Sequence, residues 1–430
     1  MSSFIRDLIK VGVSKIAIIA FGLGQGIIIA RWLGPEGNGT LAALTVYPSL
    51  FLSFGSLGIS QSVTHFIGKK KFSEDIIKRS VIHIWIFTTV ISLIVCFFLI
   101  RYFSNSGYNF LWVLLAILPI PFTLFNKYNA GFFLGKNQIG TYNRINWLPS
   151  AISFISVFVL VVVFNIGVSG ALLSLVIGNL FMFFILIKKN KLTHSFSTSI
   201  NWNIIKSLLS LGLIYALSLL IINLNYKADV ILLDKLSNSF NTGIYSKGVS
   251  IVDFLWEIPM LLSTIVFARS ASSKDDLEFS IKVIRLLRLS IVAIGIASLI
   301  LIIFAKNIII LLYGNEFVKS ALVMQLLLPG VLLLTIFKVL NMDLAGKGKP
   351  WISMKAMLPA LILNIILNLI LLPKYGANGA AIASTISYTF AALLFLTYYS
   401  KEVNIPIKKI FLYSQDDFKY VLNLNLYKLK

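Results

Sequence analysis

Nine ionisable side chains interrupt otherwise apolar stretches of this 430-residue chain, and they are its candidates for chemistry: Lys15, Lys127, Lys227, Asp229, Lys247, Asp253, Glu257, Lys338 and Asp343. A charge within hydrocarbon costs several kcal/mol unless it faces protein or water, so such groups mark functional sites by default. Lysines there suit an anionic cargo, and carboxylates suit a coupling cation such as H⁺ or Na⁺. Lys127 and Lys338 are the foremost substrate candidates, because the repeat gives them equivalent depths, each eight residues before a Gly-Lys pair (Gly135-Lys136, Gly346-Lys347). The other reading is that lysines so near a helix end, Lys15 most easily, snorkel to the interface. Lys15, Lys227, Lys247 and Trp256 join them as cleft candidates. Asp229, Asp253, Glu257 and Asp343 are the cation candidates. Asp253 and Glu257 share a helix face near Pro259, where two readings stand: a cation site, or an internal salt bridge to a neighbouring helix. Lys227 and Asp229 point to nearly opposite faces at about 100° per residue.

Catalytic patterns are missing. Ala345-Gly346-Lys347-Gly348-Lys349-Pro350 lacks the first glycine and the hydroxyl of a phosphate loop, and there is no Gly-x-Ser-x-Gly elbow. Cys96 has no cysteine to pair with, and His65, His83 and His194 are not at metal-ligand spacing. No metal and no organic cofactor is expected, and the chain reads as a transporter rather than an enzyme.

The elements that must position these charges are membrane spans. With 58% hydrophobic and 13% charged residues, the chain has far more apolar surface than a soluble core can hide. Its apolar stretches are about 20 residues long, the length that crosses roughly 30 Å of hydrocarbon. They predict an all-α membrane protein with about twelve helices, near 11–33, 41–66, 80–100, 109–134, 146–166, 169–187, 205–233, 242–268, 287–306, 319–344, 354–372 and 377–399. Met1 to Lys10 forms an amphipathic stretch without a cleavage site, so it is not expected to be a removable signal.

The net charge is +22, and alternate loops hold most of the positives. Lys69, Lys70, Lys71, Lys78, Arg79, Lys188, Lys189, Lys191, Arg285, Arg288, Lys347 and Lys349 all fall on one face, with the tail lysines from Lys401 onward. The positive-inside rule places that face and both termini in the cytoplasm. The basic loops are short and lack a stacking platform, so anionic lipid explains them better than nucleic acid. Six tryptophans lie near span ends, whereas Trp256 is expected in mid-span at a wet or protein-lined position.

Residues 118–187 and 328–398 are alike at a shift of about 210. Leu118-Pro119 answers to Leu328-Pro329, Lys127 to Lys338, Leu148-Pro149 to Leu358-Pro359, and Gly167-x-x-Gly170-Ala171 to Gly376-x-x-Gly379-Ala380. A weaker echo joins Leu33–Gly39 to Leu236–Gly243. The expected organisation is a six-helix bundle over 1–200, a second over 201–400 and a basic tail over 401–430. The two bundles are parallel and related by a pseudo-twofold along the membrane normal. A cleft between such bundles would work by alternating access.

The turn Arg31-Trp32-Leu33-Gly34-Pro35-Glu36-Gly37-Asn38-Gly39 closely resembles the Arg-x-Leu-Gly-Pro-Glu-Gly-x-Gly motif of bacterial polysaccharide transporters. These are the Wzx-type flippases of the superfamily that also holds multidrug extruders and the lipid II flippase. Arg31, Gly34, Pro35, Gly37 and Gly39 read as a structural turn. Asp229 and Gly243-Ile244-Tyr245 resemble the matching second-half segment, although Ser237-Asn238-Ser239-Phe240 departs from the usual glycine-led turn. The resemblance implies a flippase that carries a polyprenyl-diphosphate-linked oligosaccharide to the outer leaflet of the bacterial inner membrane, for O-antigen or capsule assembly. Its implied partners are that lipid-linked oligosaccharide, membrane lipids, a polysaccharide polymerase and assembly proteins. The alternatives are a cation-coupled multidrug extruder of the same superfamily, which should favour acidic residues, and a membrane-embedded polymerase, which should carry a long outer loop.

Overall fold

The structure is a computed structural model and describes residues 3–136, 138–192, 195–196, 200–257, 266, 270, 276–414 and 417. Among these residues the regular elements are helices: α1 Ser3–Gly55, α2 Ile59–Gly68, α3 Glu74–Phe103, α4 Phe110–Ile117, α5 Pro119–Gly135, α6 Ile139–Asn146, α7 Leu148–Val157, α8 Gly167–Lys189, α9 Trp202–Leu236, α10 Ser239–Leu255, α11 Asp276–Ile303, α12 Ala305–Tyr313, α13 Ser320–Gly346, α14 Trp351–Val403 and α15 Ile407–Ile410. Nine helical segments among the described residues are long and apolar enough to cross a membrane. Two of them, Gly12–Gly68 and Trp351–Val403, have 57 and 53 residues, enough for two crossings of about 20 residues each. The part of the expected 242–268 span beyond 257 lies almost wholly outside the described residues, as does Pro259.

The first expected span and the greater part of the second join into α1, the second ending in α2, and the last two join into α14. The chain changes direction there without a loop, at Gly34 (φ 61°) and Gly376 (φ 52°). Only Gly34 of the motif's three glycines has a left-handed backbone. The expected three-glycine turn is therefore one kink followed by helix. Asn38, buried, donates from Nδ2 to the carbonyls of Ile29 (3.1 Å) and Gly34 (2.7 Å), so one side chain bridges the two sides of the kink.

Contacts group the chain into two compact units, one comprising Met1–Ser246 with Ile310–Val318 and the other Lys247–Ile309 with Lys319–Lys430. In the first unit, the weak echo between the two motif turns becomes a reciprocal contact. A Cβ on Gly39 would lie 1.7 Å from the Ser239 carbonyl oxygen, and one on Gly243 would lie 1.9 Å from the Pro35 carbonyl oxygen. Residue 35 relates to 239 as 39 does to 243, so the contact repeats itself as it would about a local twofold. Gly212 of α9 meets Leu57 and Gly58 equally closely, and Gly131 and Gly135 of α5 face Ser60 and Ile67 along α2. Small residues give these helices their grip, since lipid supplies no hydrophobic drive between them. Large apolar side chains such as Phe87 (66% exposed) and Ile303 (73%) point outward, as a bilayer allows.

The strong repeat has a backbone cause as well. Gly167 and Gly376 both turn with positive φ, and a Cβ on Gly170 or Gly379 would crowd the carbonyl of Leu160 (3.1 Å) or Leu371 (2.5 Å) on the other side of the turn.

Replacing Gly39 or Gly243 with valine should lower stability by roughly 1–3 kcal/mol or more through overpacking. Gly22→Ala, with nothing within 4 Å of the new Cβ, should be nearly neutral. Thermal unfolding of the three purified variants in detergent checks the ranking.

Candidate functional site

Lys127 projects from α5 toward the end of α1. The chain breaks there, at Leu57 (φ 44°) and Gly58 (φ 59°), before restarting as α2. A broken helix leaves carbonyls without partners, and two neighbouring α5 residues supply them. Lys127 Nζ donates to Leu52 O at 3.2 Å, and the buried Tyr128 hydroxyl donates to Gly55 O while resting 3.0 Å from Thr88 Oγ1. Lys127 nonetheless stays exposed.

Its sequence counterpart, Lys338 of α13, lies in the other unit with Nζ 3.8 Å from the centroid of the Trp256 ring, a cation–π contact of about 0.5–2 kcal/mol. Trp256 is 5% exposed, donates from Nε1 to Val331 O at 3.4 Å and packs on Tyr388. Its mid-span position is therefore protein-lined. Asp253 is exposed and Glu257 half-buried on either side of it.

The remaining candidates are dispersed. Asp229 is fully buried and accepts the Tyr245 hydroxyl at 2.7 Å. Lys15 and Lys227 are half-buried, and Lys247 is buried on α10. Asp343 is a packed node: Ser270 donates to Oδ1 (2.7 Å), while Ser280 (2.7 Å), Tyr399 (2.8 Å) and Lys347 (3.2 Å) all reach Oδ2. A carboxylate bound this way holds helices together, and a cation would have to displace these donors. The cavity beside it, about 140 Å³ between Asp276, Lys347, Lys349 and Glu402, is too small for an oligosaccharide.

The motif turn is structural in its contacts. Arg31 donates from Nη2 to Leu311 O (2.7 Å) and from Nε to Leu312 O (3.2 Å), the carbonyl end of α12, where a cation suits the helix dipole. The Gly-Lys pairs end α5 and α13, and their lysines reach the start of another helix. Lys136 meets Glu74 at 2.6 Å, which Lys78 also meets at 2.8 Å, and Lys347 donates to the Asp276 carbonyl at 2.9 Å.

Sequence reasoning missed Asp234, buried at the end of α9. Its Oδ2 accepts the Ser104 hydroxyl (2.7 Å) and the Asn105 amide (3.0 Å), fixing the short turn Asn105–Tyr108. No periodicity marks that contact, which spans some 130 residues of sequence.

The model of the family described as polysaccharide biosynthesis protein matches residues 4–268, more than half of the chain. The chain belongs to that family. Capsular polysaccharide biosynthesis protein CapF of Staphylococcus aureus is 25% identical over 295 residues, covering 67% of this chain and 72% of CapF. A probable low-salt glycan biosynthesis flippase of Haloferax volcanii is 29% identical over 115 residues, 27% of this chain and 24% of that protein. Among solved structures, the inward closed conformation of the lipid II flippase MurJ has a TM-score of 0.76 at 17% identity, covering 97% of this chain and 95% of MurJ. This polysaccharide biosynthesis family member thus has the all-α membrane fold of that transporter, in agreement with the fold class and the family expected from its sequence.

Asp343→Ala should cost the family member about 3–5 kcal/mol, because it strands Lys347 beside buried hydroxyls. Tyr399→Phe, which removes one of the donors to that carboxylate, should cost about 1–3 kcal/mol. Chemical denaturation in micelles, followed by tryptophan fluorescence, measures both.

Proposed function

We propose that the protein is a flippase that moves a polyprenyl-diphosphate-linked oligosaccharide from the cytoplasmic to the outer leaflet by alternating access, for surface polysaccharide assembly. The observation that carries this reading is Lys127: a lysine on a membrane-spanning helix, exposed, and bonded to a carbonyl rather than a carboxylate. Its charge remains available to a diphosphate, which cannot enter hydrocarbon unless it is compensated. Lys338, the repeat's counterpart, supplies a second ammonium on the Trp256 face. Family membership and the biosynthetic roles named for the relatives support a glycan cargo. Without a phosphate loop to use ATP, the driving force would be the membrane potential or a gradient of H⁺ or Na⁺. Asp229, Asp253 and Glu257 are the carboxylates proposed to bind that ion. The side rich in lysine faces the cytoplasm of a bacterial inner membrane, and a polysaccharide polymerase would receive the flipped unit.

In a host lacking its own flippase, the wild-type chain should restore surface polysaccharide. Lys127→Ala and Lys338→Ala should each slow export roughly tenfold or more and accumulate the lipid-linked intermediate, whereas Lys→Arg at either position should retain most of it. Export by the alanine variants at the wild-type rate and normal expression would remove the charge-compensation role. Drug resistance without polysaccharide export would point to an extruder instead.

A further inference from the structure

We propose that the segment after α14 is an anionic-lipid contact, clamped to α11 so that lysines and apolar side chains meet headgroups together. The chain is forced to double back there. Asn404 takes a left-handed turn (φ 57°), Ile405 N donates to Ser400 O at 3.1 Å, the Ser400 hydroxyl returns a bond to Ile405 O at 2.7 Å, and Pro406 precedes the single turn of α15.

Arg288 of α11 then holds the returning segment. Its guanidinium donates to Lys409 O (2.6 Å), to Ile410 O (2.8 Å) and to Asp417 Oδ2 (2.7 Å). Asp417 has a side chain only 1% exposed and also accepts the Ser414 amide at 2.8 Å, with Arg285 3.7 Å away. Burial raises the Asp417 carboxyl, and the Ser414 amide and the two guanidiniums outweigh it, holding it below the ordinary 3.8. The clamp's stabilisation is therefore complete above that ordinary value and is lost as pH falls through the lowered one. At neutral pH it is closed.

Arg288 also fixes the depth of the segment. Residues 276–288 of α11 include Asp276, Glu278, Lys282, Arg285 and Arg288, whereas 289–303 carry no ionisable side chain. The clamp thus sits at the boundary between the polar and apolar parts of the helix, where headgroups begin. At that level Ile407 (38% exposed), Leu412 (68%) and Tyr413 (41%) lie open beside Lys408 and Lys409. No carboxylate occurs from 403 to 414. Apolar side chains next to unneutralised lysines suit an anionic leaflet better than an acidic soluble protein, which offers nothing for the apolar groups. Each lysine near such a surface adds to the attraction. The inference concerns lipid and stands apart from the cargo.

The test attaches an environment-sensitive fluorophore to Leu412→Cys; the native Cys96 is fully buried, and the parent chain reports any background labelling. The protein is placed in nanodiscs of phosphatidylcholine, alone or with about one-third phosphatidylglycerol. In anionic discs the emission should shift to the blue, and iodide should quench it roughly threefold less or better than in neutral discs. Lys408→Gln with Lys409→Gln should abolish the difference, and Arg288→Gln should expose the probe in both lipids. Equal shielding in the two lipids would overturn the charge recognition. A probe in water in both would overturn the membrane contact and leave a protein partner.

Discussion

The hydrocarbon core of a bilayer offers no hydrogen bonds, so every interruption of a helix inside it must be repaired by the protein itself. This chain interrupts its helices repeatedly, and two of the interruptions have a particular side chain bonded across them. Asn38 bridges the Gly34 kink, and Lys127 with Tyr128 bonds the carbonyls before the gap between α1 and α2. The glycines follow from the same constraint. A kinked or broken helix can pack only where neighbouring backbones come close, and Gly39, Gly58, Gly212 and Gly243 sit where a Cβ would overlap a backbone atom.

This accounts for what was legible in the sequence. Span length and number follow from the thickness of the bilayer, so the apolar stretches revealed the helices. The glycines, prolines and lysines of the repeat recur because the same backbone events recur: a left-handed turn at Gly167 and Gly376, and close packing at Gly170 and Gly379. The faint echo between residues 33–39 and 236–243 proves to be the contact in which the two equivalent turns meet each other. The joining of two spans into one helix was not legible, because a single residue with positive φ looks in sequence like a loop.

The candidate site was legible to a different degree. The charges themselves were conspicuous, since apolar sequence hides nothing ionisable. Their partners were not. Asp343 reads as a lone carboxylate, yet it is tied to Ser270, Ser280 and Tyr399, separated from it by 73, 63 and 56 positions. Serines and tyrosines are too common for such pairings to stand out. Asp234 was missed for the same reason, and the Arg288–Asp417 clamp because a tail with many lysines draws attention to its charge rather than to the buried Asp417.

Lys127 and Lys136 show how one helix end can carry two kinds of lysine. Lys136 faces Glu74 at 2.6 Å, so its charge is neutralised and its work is to hold α5 to the start of α3. Lys127, a little over two turns earlier, is bonded to a peptide carbonyl, which accepts one of its three protons without cancelling its charge. Among the described residues no carboxylate pairs with it. An uncancelled charge inside a membrane needs a polar partner there, whether backbone carbonyl, water or headgroup. The carbonyl bond orients the ammonium at the helix break, and in the flippase reading proposed above it would be exchanged for a phosphate contact without breaking an ion pair among the described residues. The break in the helix, first a structural cost, thereby becomes what keeps the positive charge in place.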